Sequence, residues 1–270
     1  VYNLSSSSHK ASTTLSFIFS QLFLSSMFFT VSHLNSPSVV PVYNLSLKRY
    51  VHKVLCPVEY VFLNSNFSRF RTTTPKSVDK YADLLSPFSL LWKKYWADCP
   101  FETVLVTESS LEENLCFERV VSCGKGLSWC ERLIKALDSI ETPYVIMLCD
   151  DYFLNSKVDT EQMQYRLEQA KKFNAANLRL IPNPIPNARN SVPVEDGLYE
   201  YRKNIAYCIA TQAGIWNREF LRNLACGKAS IWEFERYGSF DLSNEKRALL
   251  VTQKKEFPFI DAVHKGCWEK

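Results

Sequence analysis

The chain has 270 residues, of which 46% are hydrophobic and 22% are charged. This length and composition are typical of one large or two small globular domains, and they exclude collagen-like, coiled-coil and polytopic membrane proteins. The net charge is only +4, and residues 76–270 carry 26 basic against 27 acidic side chains. We therefore expect no nucleic-acid-binding surface in the main body of the protein.

Nine cysteines are present, which is an odd number, and they show neither C-x-x-C nor metal-knuckle spacing. Disulfide-dense scaffolds are much smaller than this chain. We predict that the cysteines are mostly reduced thiols that pack in the core as small hydrophobic side chains.

Residues 1–75 differ in texture from the rest of the chain. They contain fifteen serines and one acidic residue, and the first glycine of the whole chain is Gly124. The uncharged run 15–31 follows Lys10, as in a signal peptide or a weak membrane anchor, but its 17 residues are few for a membrane span. A targeting or anchor segment, a poorly ordered or non-native extension, and a first subdomain all remain open. We predict an extension of the first or second kind over 1–75 and a folded domain over 76–270.

Helices and strands alternate from about residue 76 onward. Ser128 and Glu131 form a capping box at the start of one predicted helix, and Asp159 caps another. The continuous apolar run 143–149 is typical of a central strand buried on both faces. The alternation predicts an α/β fold with a largely parallel sheet. In chain order the predicted elements are a helix over 77–96 that Pro87 divides or restarts, strands over 101–107 and 116–122, a helix over 128–140, a strand over 143–149, a helix over 160–173 and a strand over 177–181.

Two adjacent carboxylates, Asp150 and Asp151, follow the most hydrophobic of these strands. Ligands bind at the carboxyl ends of strands in such sheets, and paired buried carboxylates need a cation to balance them. One interpretation is a site for a hard cation, Mg²⁺ or Mn²⁺, which takes one or two carboxylates and fills its other positions with water and phosphate oxygens. The other interpretation is that the two carboxylates lie in a turn or cap a helix, where a lysine side chain or water stabilises them.

Six segments resemble, in the same order, bacterial GT-A-fold glycosyltransferases of surface polysaccharide biosynthesis. The resemblance implies a GT-A-like, Rossmann-like sheet with a C-terminal acceptor-binding region. It also implies transfer of a sugar from a nucleotide sugar to an acceptor hydroxyl. The segments are residues 79–83 with 92–100, 129–137, 142–154, 214–221, 232–235 and 264–268.

The resemblance assigns donor-binding roles to residues in both halves of the chain. Asp150 would face the ribose or the sugar, and Asp151 would hold the Mn²⁺ or Mg²⁺ ion that bridges the two phosphates. Asp79 and Tyr81 correspond to the exit of the family's first strand, where the nucleotide base binds. The departures are an Asp-Asp pair in place of a spaced D-x-D and a polar stretch where the family has a hydrophobic strand before Asp79. Residues 61–63 could substitute for that strand at a distance, or the strand could be damaged.

The C-terminal tail carries the remaining donor-site candidates. His264 and Lys265 precede a glycine, whose missing side chain lets backbone approach a phosphate. The resemblance places this tail over the diphosphate.

Residues 232–235 follow Ser230, which is a suitable N-cap. On a helix, Trp232 and Glu235 would share a face, and an aromatic ring beside a carboxylate suits a sugar acceptor. The alternative is an amphipathic turn that buries the aromatic residues and exposes Glu233 and Glu235 to solvent. The resemblance favours Glu235 as the catalytic base, with Glu233 as the second candidate.

Residues 182–235 are rich in proline and aromatic residues, a composition typical of surfaces that bind sugars by stacking. We assign Trp232 and Trp216 to acceptor binding, with core packing as the alternative for these aromatics.

The overall prediction is an inverting glycosyltransferase of cell-surface polysaccharide synthesis. Its partners would be a nucleotide-sugar donor and a glycan or lipid-linked glycan acceptor. We expect it in the cytoplasm, or peripherally bound at the inner face of the cytoplasmic membrane. The alternative is a catalytically inactive nucleotide-binding α/β remnant of the same family.

Overall fold

The computed structural model divides the chain into two compact units, Val1–Cys56 and Pro57–Lys270. All residues that the structure describes belong to the second unit. They are residues 60–64, 82–109, 115–195, 197–203, 205–242, 244–264 and 267–268. Of the predicted extension over residues 1–75, residues 60–64 belong to this part of the chain and the others lie outside it.

Five helices form in the described residues. Ser128 caps the second through the predicted capping box, and Asp159 caps the third. The first helix runs without a break through Pro87, so the predicted division there does not occur. The helices are α1 (Ala82–Tyr95), α2 (Trp129–Asp138), α3 (Thr160–Lys172), α4 (Arg218–Ala225) and α5 (Ile231–Gly238).

The strands are short, as is usual for a sheet of this size. They are β1 (Tyr60–Asn64), β2 (Glu102–Thr107), β3 (Arg119–Ser122), β4 (Tyr144–Cys149), β5 (Tyr152–Leu154), β6 (Ala175–Arg179), β7 (Ser191–Pro193), β8 (Leu198–Tyr201), β9 (Gly214–Asn217), β10 (Ala248–Thr252), β11 (Phe259–Asp261), β12 (Val263–His264) and β13 (Cys267–Trp268).

Nine strands form one mixed sheet in the order β3-β2-β1-β4-β9-β6-β10-β8-β7. Strands β3, β2, β1 and β4 are mutually parallel, and β9 is antiparallel to both β4 and β6. Strand β6 therefore runs in the same direction as β4, and β10 runs parallel to β6. Six strands thus end at one edge of the sheet, as the predicted parallel arrangement requires. The predicted α/β class is confirmed.

Alternate side chains of the central strands enter two hydrophobic cores, one on each face of the sheet. Ile146 and Leu148 pack on the side of α1 and α3. Val145 and Met147 pack on the side of α2, α4 and α5. All six residues of β4 are buried, as the apolar run predicted.

Strand β1 lies upstream of the predicted domain boundary at residue 75. It is inserted between β2 and β4 and is parallel to both. The alternative in which residues 61–63 supply a strand at a distance from Asp79 therefore agrees with the observed sheet.

Of the seven cysteines whose side chains the structure describes, six are buried or partly buried, and all seven are free thiols. Burial raises the pKa of the Cys99 and Cys130 thiols to about 12. These residues pack as the composition predicted.

Candidate functional site

The Asp150–Asp151 pair lies at the carboxyl end of the central strand β4. The two residues form a turn and are only 1% and 5% exposed. After the turn, β5 pairs with β11, and the N–H of Ala262 donates to the carbonyl of Asp151 at 2.7 Å. The pair is thus fixed by the backbone on both sides.

Glu235 lies at the same edge, although it is 84 residues further along the chain. Both the backbone N–H and the hydroxyl of Thr211 donate to its Oε1, each at 2.7 Å. The carbonyl of Thr211 in turn accepts from the thiol of Cys149, 3.8 Å away. The proposed base is therefore linked through one residue to the last residue of β4, directly before the Asp pair.

The electrostatics of Cys149 show the same convergence. Burial raises the pKa of its thiol well above the ordinary value, and the charges of Asp151, Asp150 and Glu235 raise it further. Three carboxylates therefore act on one buried group, which stays a protonated thiol. An edge with this much negative charge suits a cation or the hydroxyl groups of a sugar.

Glu233 and Trp232 occupy different surroundings on α5. The Oε2 atom of Glu233 accepts from the N–H of Ala229 at 2.7 Å, and its own N–H donates to Ser230. This carboxylate caps the helix start. Trp232 is 48% exposed, so its ring is accessible to a ligand.

Trp216 is a core residue, which corrects its assignment to acceptor binding. It lies on β9 in the middle of the sheet and is 0% exposed. Its ring stacks on Phe220 and packs at an angle against Phe234. No face of the ring is open to a sugar.

The structure describes little of the other residues predicted to bind the nucleotide-sugar donor. Asp79, Tyr81 and Lys265 lie outside the described residues, and His264 is described by its backbone alone, paired with Cys267. The ring of Trp268 contacts Phe153 of β5 at a centroid distance of 5.8 Å. The C-terminal hairpin β12–β13 therefore lies beside the strand that follows the Asp pair.

No group of three or more His, Cys, Asp or Glu side chains placed to hold a metal ion occurs in the described part of the chain. The Asp pair nevertheless fits a hard cation, because Mg²⁺ and Mn²⁺ need only one or two protein carboxylates when substrate phosphates and waters complete the shell. Asp151 is the residue that would hold such an ion, with Asp150 beside it.

Two residues at this edge carry no sequence signal. Thr211 holds Glu235, and Arg179 ends β6 with its guanidinium fully buried. Their positions depend on contacts with residues more than 20 positions away. Only the strand order brings these residues together.

No protein family matches the sequence, and no curated protein matches it either. Similar solved structures exist at low identity. The bifunctional IspDF of Campylobacter jejuni is 15% identical, with a TM-score of 0.38, over 70% of this chain and 48% of that one. Residues 1–349 of S. aureus TarS, in complex with UDP-GlcNAc, are 12% identical, with a TM-score of 0.41, over 75% and 57%. An apo UDP-glucose pyrophosphorylase is 11% identical, with a TM-score of 0.46, over 76% and 93%.

The chain thus spans about half the length of the first two of these structures. None of the identities assigns a family to the chain. Among the described helices, none has both the length and the apolar character needed to cross a bilayer.

Proposed function

We propose that this protein is a glycosyltransferase that moves a sugar from a nucleotide-sugar donor to a hydroxyl of a glycan or lipid-linked glycan in cell-surface polysaccharide synthesis. The observation that carries the proposal is the link from Glu235 through Thr211 to Cys149, next to the buried Asp pair. A base and a donor-binding pair at one sheet edge are what transfer between two bound substrates needs.

The donor half of the proposed site uses the Asp pair. Asp150 binds the ribose or the sugar, and Asp151 holds Mn²⁺ or Mg²⁺. When bound, the ion supplies positive charge to the diphosphate as it leaves. His264 and Lys265 are proposed to bind the same diphosphate, and Asp79 and Tyr81 the nucleotide base.

The acceptor half uses α5. Glu235 takes the proton from the acceptor hydroxyl while that oxygen attacks the anomeric carbon, and the bond from this carbon to the diphosphate oxygen breaks. Attack from the face opposite the leaving group inverts the configuration. Trp232 offers its exposed ring to the acceptor sugar. Of the two candidate bases, the contacts favour Glu235, since Glu233 caps the helix.

The alternative of an inactive remnant rests on the broken strand before Asp79 and on the absence of glycine before residue 124. The central position of β1 in the sheet supports the transferase on the first of these two points. The proposal also includes a cytoplasmic location at or near the inner face of the membrane, where a lipid-linked acceptor is presented.

A panel of nucleotide sugars tests the proposal, with calorimetric titration of UDP, GDP and CDP in the presence of Mn²⁺. We expect one nucleotide to bind and its sugar to be transferred. Glu235→Gln should lower transfer at least about 100-fold and leave nucleotide affinity within about threefold, because only base catalysis is removed. The control is Glu161→Gln, which changes an exposed carboxylate on α3 and should leave transfer unchanged.

Three outcomes would count against parts of the proposal. Loss of transfer in Glu233→Gln but not in Glu235→Gln would move the base to Glu233. Unchanged turnover in Asp151→Ala would remove the metal role. Binding of no nucleotide by the folded protein would refute both the transferase and the inactive nucleotide-binding remnant.

A further inference from the structure

Arg179 is a buried cation that the proposed reaction does not yet use. It is only 1% exposed and ends strand β6. Burial lowers the pKa of its guanidinium below the ordinary value, and the neighbouring Tyr201 and Glu235 act in the opposite direction. Burial of such an arginine costs folding free energy unless its N–H groups find hydrogen-bond acceptors and a negative charge balances its own.

Among the described residues, one of the three guanidinium nitrogens makes a hydrogen bond, and the side chain of Tyr201 also interacts with the group and raises its pKa. Nη1 donates to the carbonyl of Tyr207 at 2.9 Å, and the group lies 5.6 Å from the centre of the Tyr201 ring. Nε and Nη2 make no hydrogen bond in the part of the chain that the structure describes. These two nitrogens form the side edge of the guanidinium, whose two parallel N–H bonds match the oxygens of a carboxylate or phosphate.

The sheet places this edge on the acceptor side of the site. Gly214 of β9 pairs with Met147 of β4 on one side and with Arg179 on the other. Arg179 therefore lies level with Met147, two residues before the last residue of β4, and is two strand spacings, about 10 Å, away from it. The nucleotide-side strands β1, β2 and β3 lie beyond β4 in the opposite direction.

One short segment, residues 207–211, connects Arg179 with the proposed base. The carbonyl of Tyr207 accepts a hydrogen bond from Nη1 of Arg179, and the N–H and hydroxyl of Thr211 donate to Glu235. An anion bound at Arg179 would thus lie near the group that deprotonates the acceptor, away from the proposed metal and diphosphate.

We propose that Arg179 forms a subsite for an oxyanion on the acceptor, a sugar carboxylate or phosphate that accepts two parallel bonds from Nε and Nη2. This subsite rests on the proposed transferase function and names the class of its acceptor, an acidic glycan. The carbonyl of Tyr207 accepts from Nη1, and the Tyr207 backbone has a left-handed φ of 61° while its side chain is 57% exposed. Because Nε and Nη2 are both buried, the proposal includes a shift of the turn at Tyr207 that exposes this edge when the anion binds.

The test is to titrate the full chain with glucuronate, glucose 6-phosphate and glucose, and to measure binding by NMR. We expect at least one anion to bind the wild type about tenfold more tightly than glucose. In Arg179→Lys this preference should fall to within about threefold, because an ammonium group cannot make the two parallel bonds. Binding of either anion supports the subsite, and their order identifies the group.

The matched control is Arg166→Lys. Arg166 is buried to a similar degree, but Glu256 satisfies its guanidinium at 2.7 and 2.8 Å. This variant should keep the anion preference, which separates loss of the subsite from loss of a buried arginine. In the wild type, the Nε–H signal of Arg179 should shift with the anion and not with glucose, a result that needs no variant to fold.

The subsite is overturned if the wild type prefers neither anion, or if Arg179→Lys folds and keeps the preference. It is also overturned if UDP affinity falls tenfold in Arg179→Lys while anion binding is unchanged, because Arg179 would then belong to the donor. If none of UDP, GDP and CDP binds while the anion preference is intact, the proposed function is refuted and the subsite still stands.

Discussion

Two donors of one residue orient the carboxylate that we propose as the base. Thr211 gives both its N–H and its hydroxyl to the same oxygen of Glu235. No hydrogen bond to Oε2 is present among the described residues, so this oxygen can face the acceptor. Orientation of this kind matters because small displacements of a catalytic group cost large factors in rate.

Thr211→Val should lower kcat about tenfold and leave nucleotide affinity unchanged, because the hydroxyl bond is lost while the N–H bond remains. Thr142→Val is the matched control. The Thr142 hydroxyl is buried without a hydrogen bond in the described structure, so the same exchange there should leave kcat within about twofold. Steady-state kinetics of both variants measure the difference. Equal effects in the two would show that Thr211 does not position the base.

Substitution of the two tryptophans assigned to the acceptor should change the free energy of unfolding to different extents. Trp216→Ala removes a fully buried ring and should reduce the free energy of unfolding by about 3–5 kcal/mol. Trp232→Ala changes a half-exposed ring and should weaken acceptor use while nucleotide affinity stays within about threefold. Denaturant unfolding and acceptor KM values test the pair. Unfolding of the Trp232 variant would make that residue structural.

The sequence predicted the positions of some candidate site residues and missed others for a physical reason. Asp150 and Asp151 end a continuous apolar strand, and Ser230 marks the start of the helix that carries Glu235, so short-range signals located both. Thr211 and Arg179 gain their roles from partners 24 and 28 residues away, which no local pattern records. Trp216 was misassigned because an aromatic-rich segment has the same composition in a core as on a surface.

At the scale of single elements, the helix starts are the best-predicted features. The capping box of α2 depends only on residues three apart. The side chain of Ser128, and then its backbone N–H, which donates to Oε2 at 2.7 Å, hold the pKa of Glu131 below its usual range. Local chemistry of this kind can be identified before the fold is known.

Ser128→Ala should lower the melting temperature by a few degrees at neutral pH, because one cap of the α2 N-terminus is lost. A lowered folded-state pKa contributes stability above the unfolded pKa of Glu131, and this contribution disappears as pH falls through the lowered value. The wild-type advantage should therefore shrink in acid. Melting curves between neutral and acidic pH provide the measurement. An advantage that stays constant with pH would show that Glu131 does not contribute.

At the scale of the whole molecule, the predicted parallel α/β sheet is present, but two of its strands could not be placed from the sequence. Strand β9 enters antiparallel between β4 and β6, which interrupts the parallel order. Strand β1 is separated from α1 by residues 65–81, so it does not lead directly into Asp79 as the family pattern requires. Alternation along a chain predicts the class of a sheet, whereas insertion of a distant strand depends on tertiary pairing.

The position of β1 leads to a truncation experiment on the boundary of the folded domain. A chain that begins at Pro57 keeps β1, whereas one that begins at Lys76 exposes the facing edges of β2 and β4, and buried sheet edges left unpaired promote aggregation. We expect the first to be monomeric with a single cooperative unfolding transition, and the second to be insoluble or to have lost near-ultraviolet dichroism. Phe62→Pro in the full chain should cause the same loss of the folded sheet, because proline removes a backbone N–H donor from a central strand. The control is Asn44→Pro, which places the same change in the first unit. A stable, cooperative chain beginning at Lys76 would restore the sequence-based boundary and show that the sheet does not depend on β1.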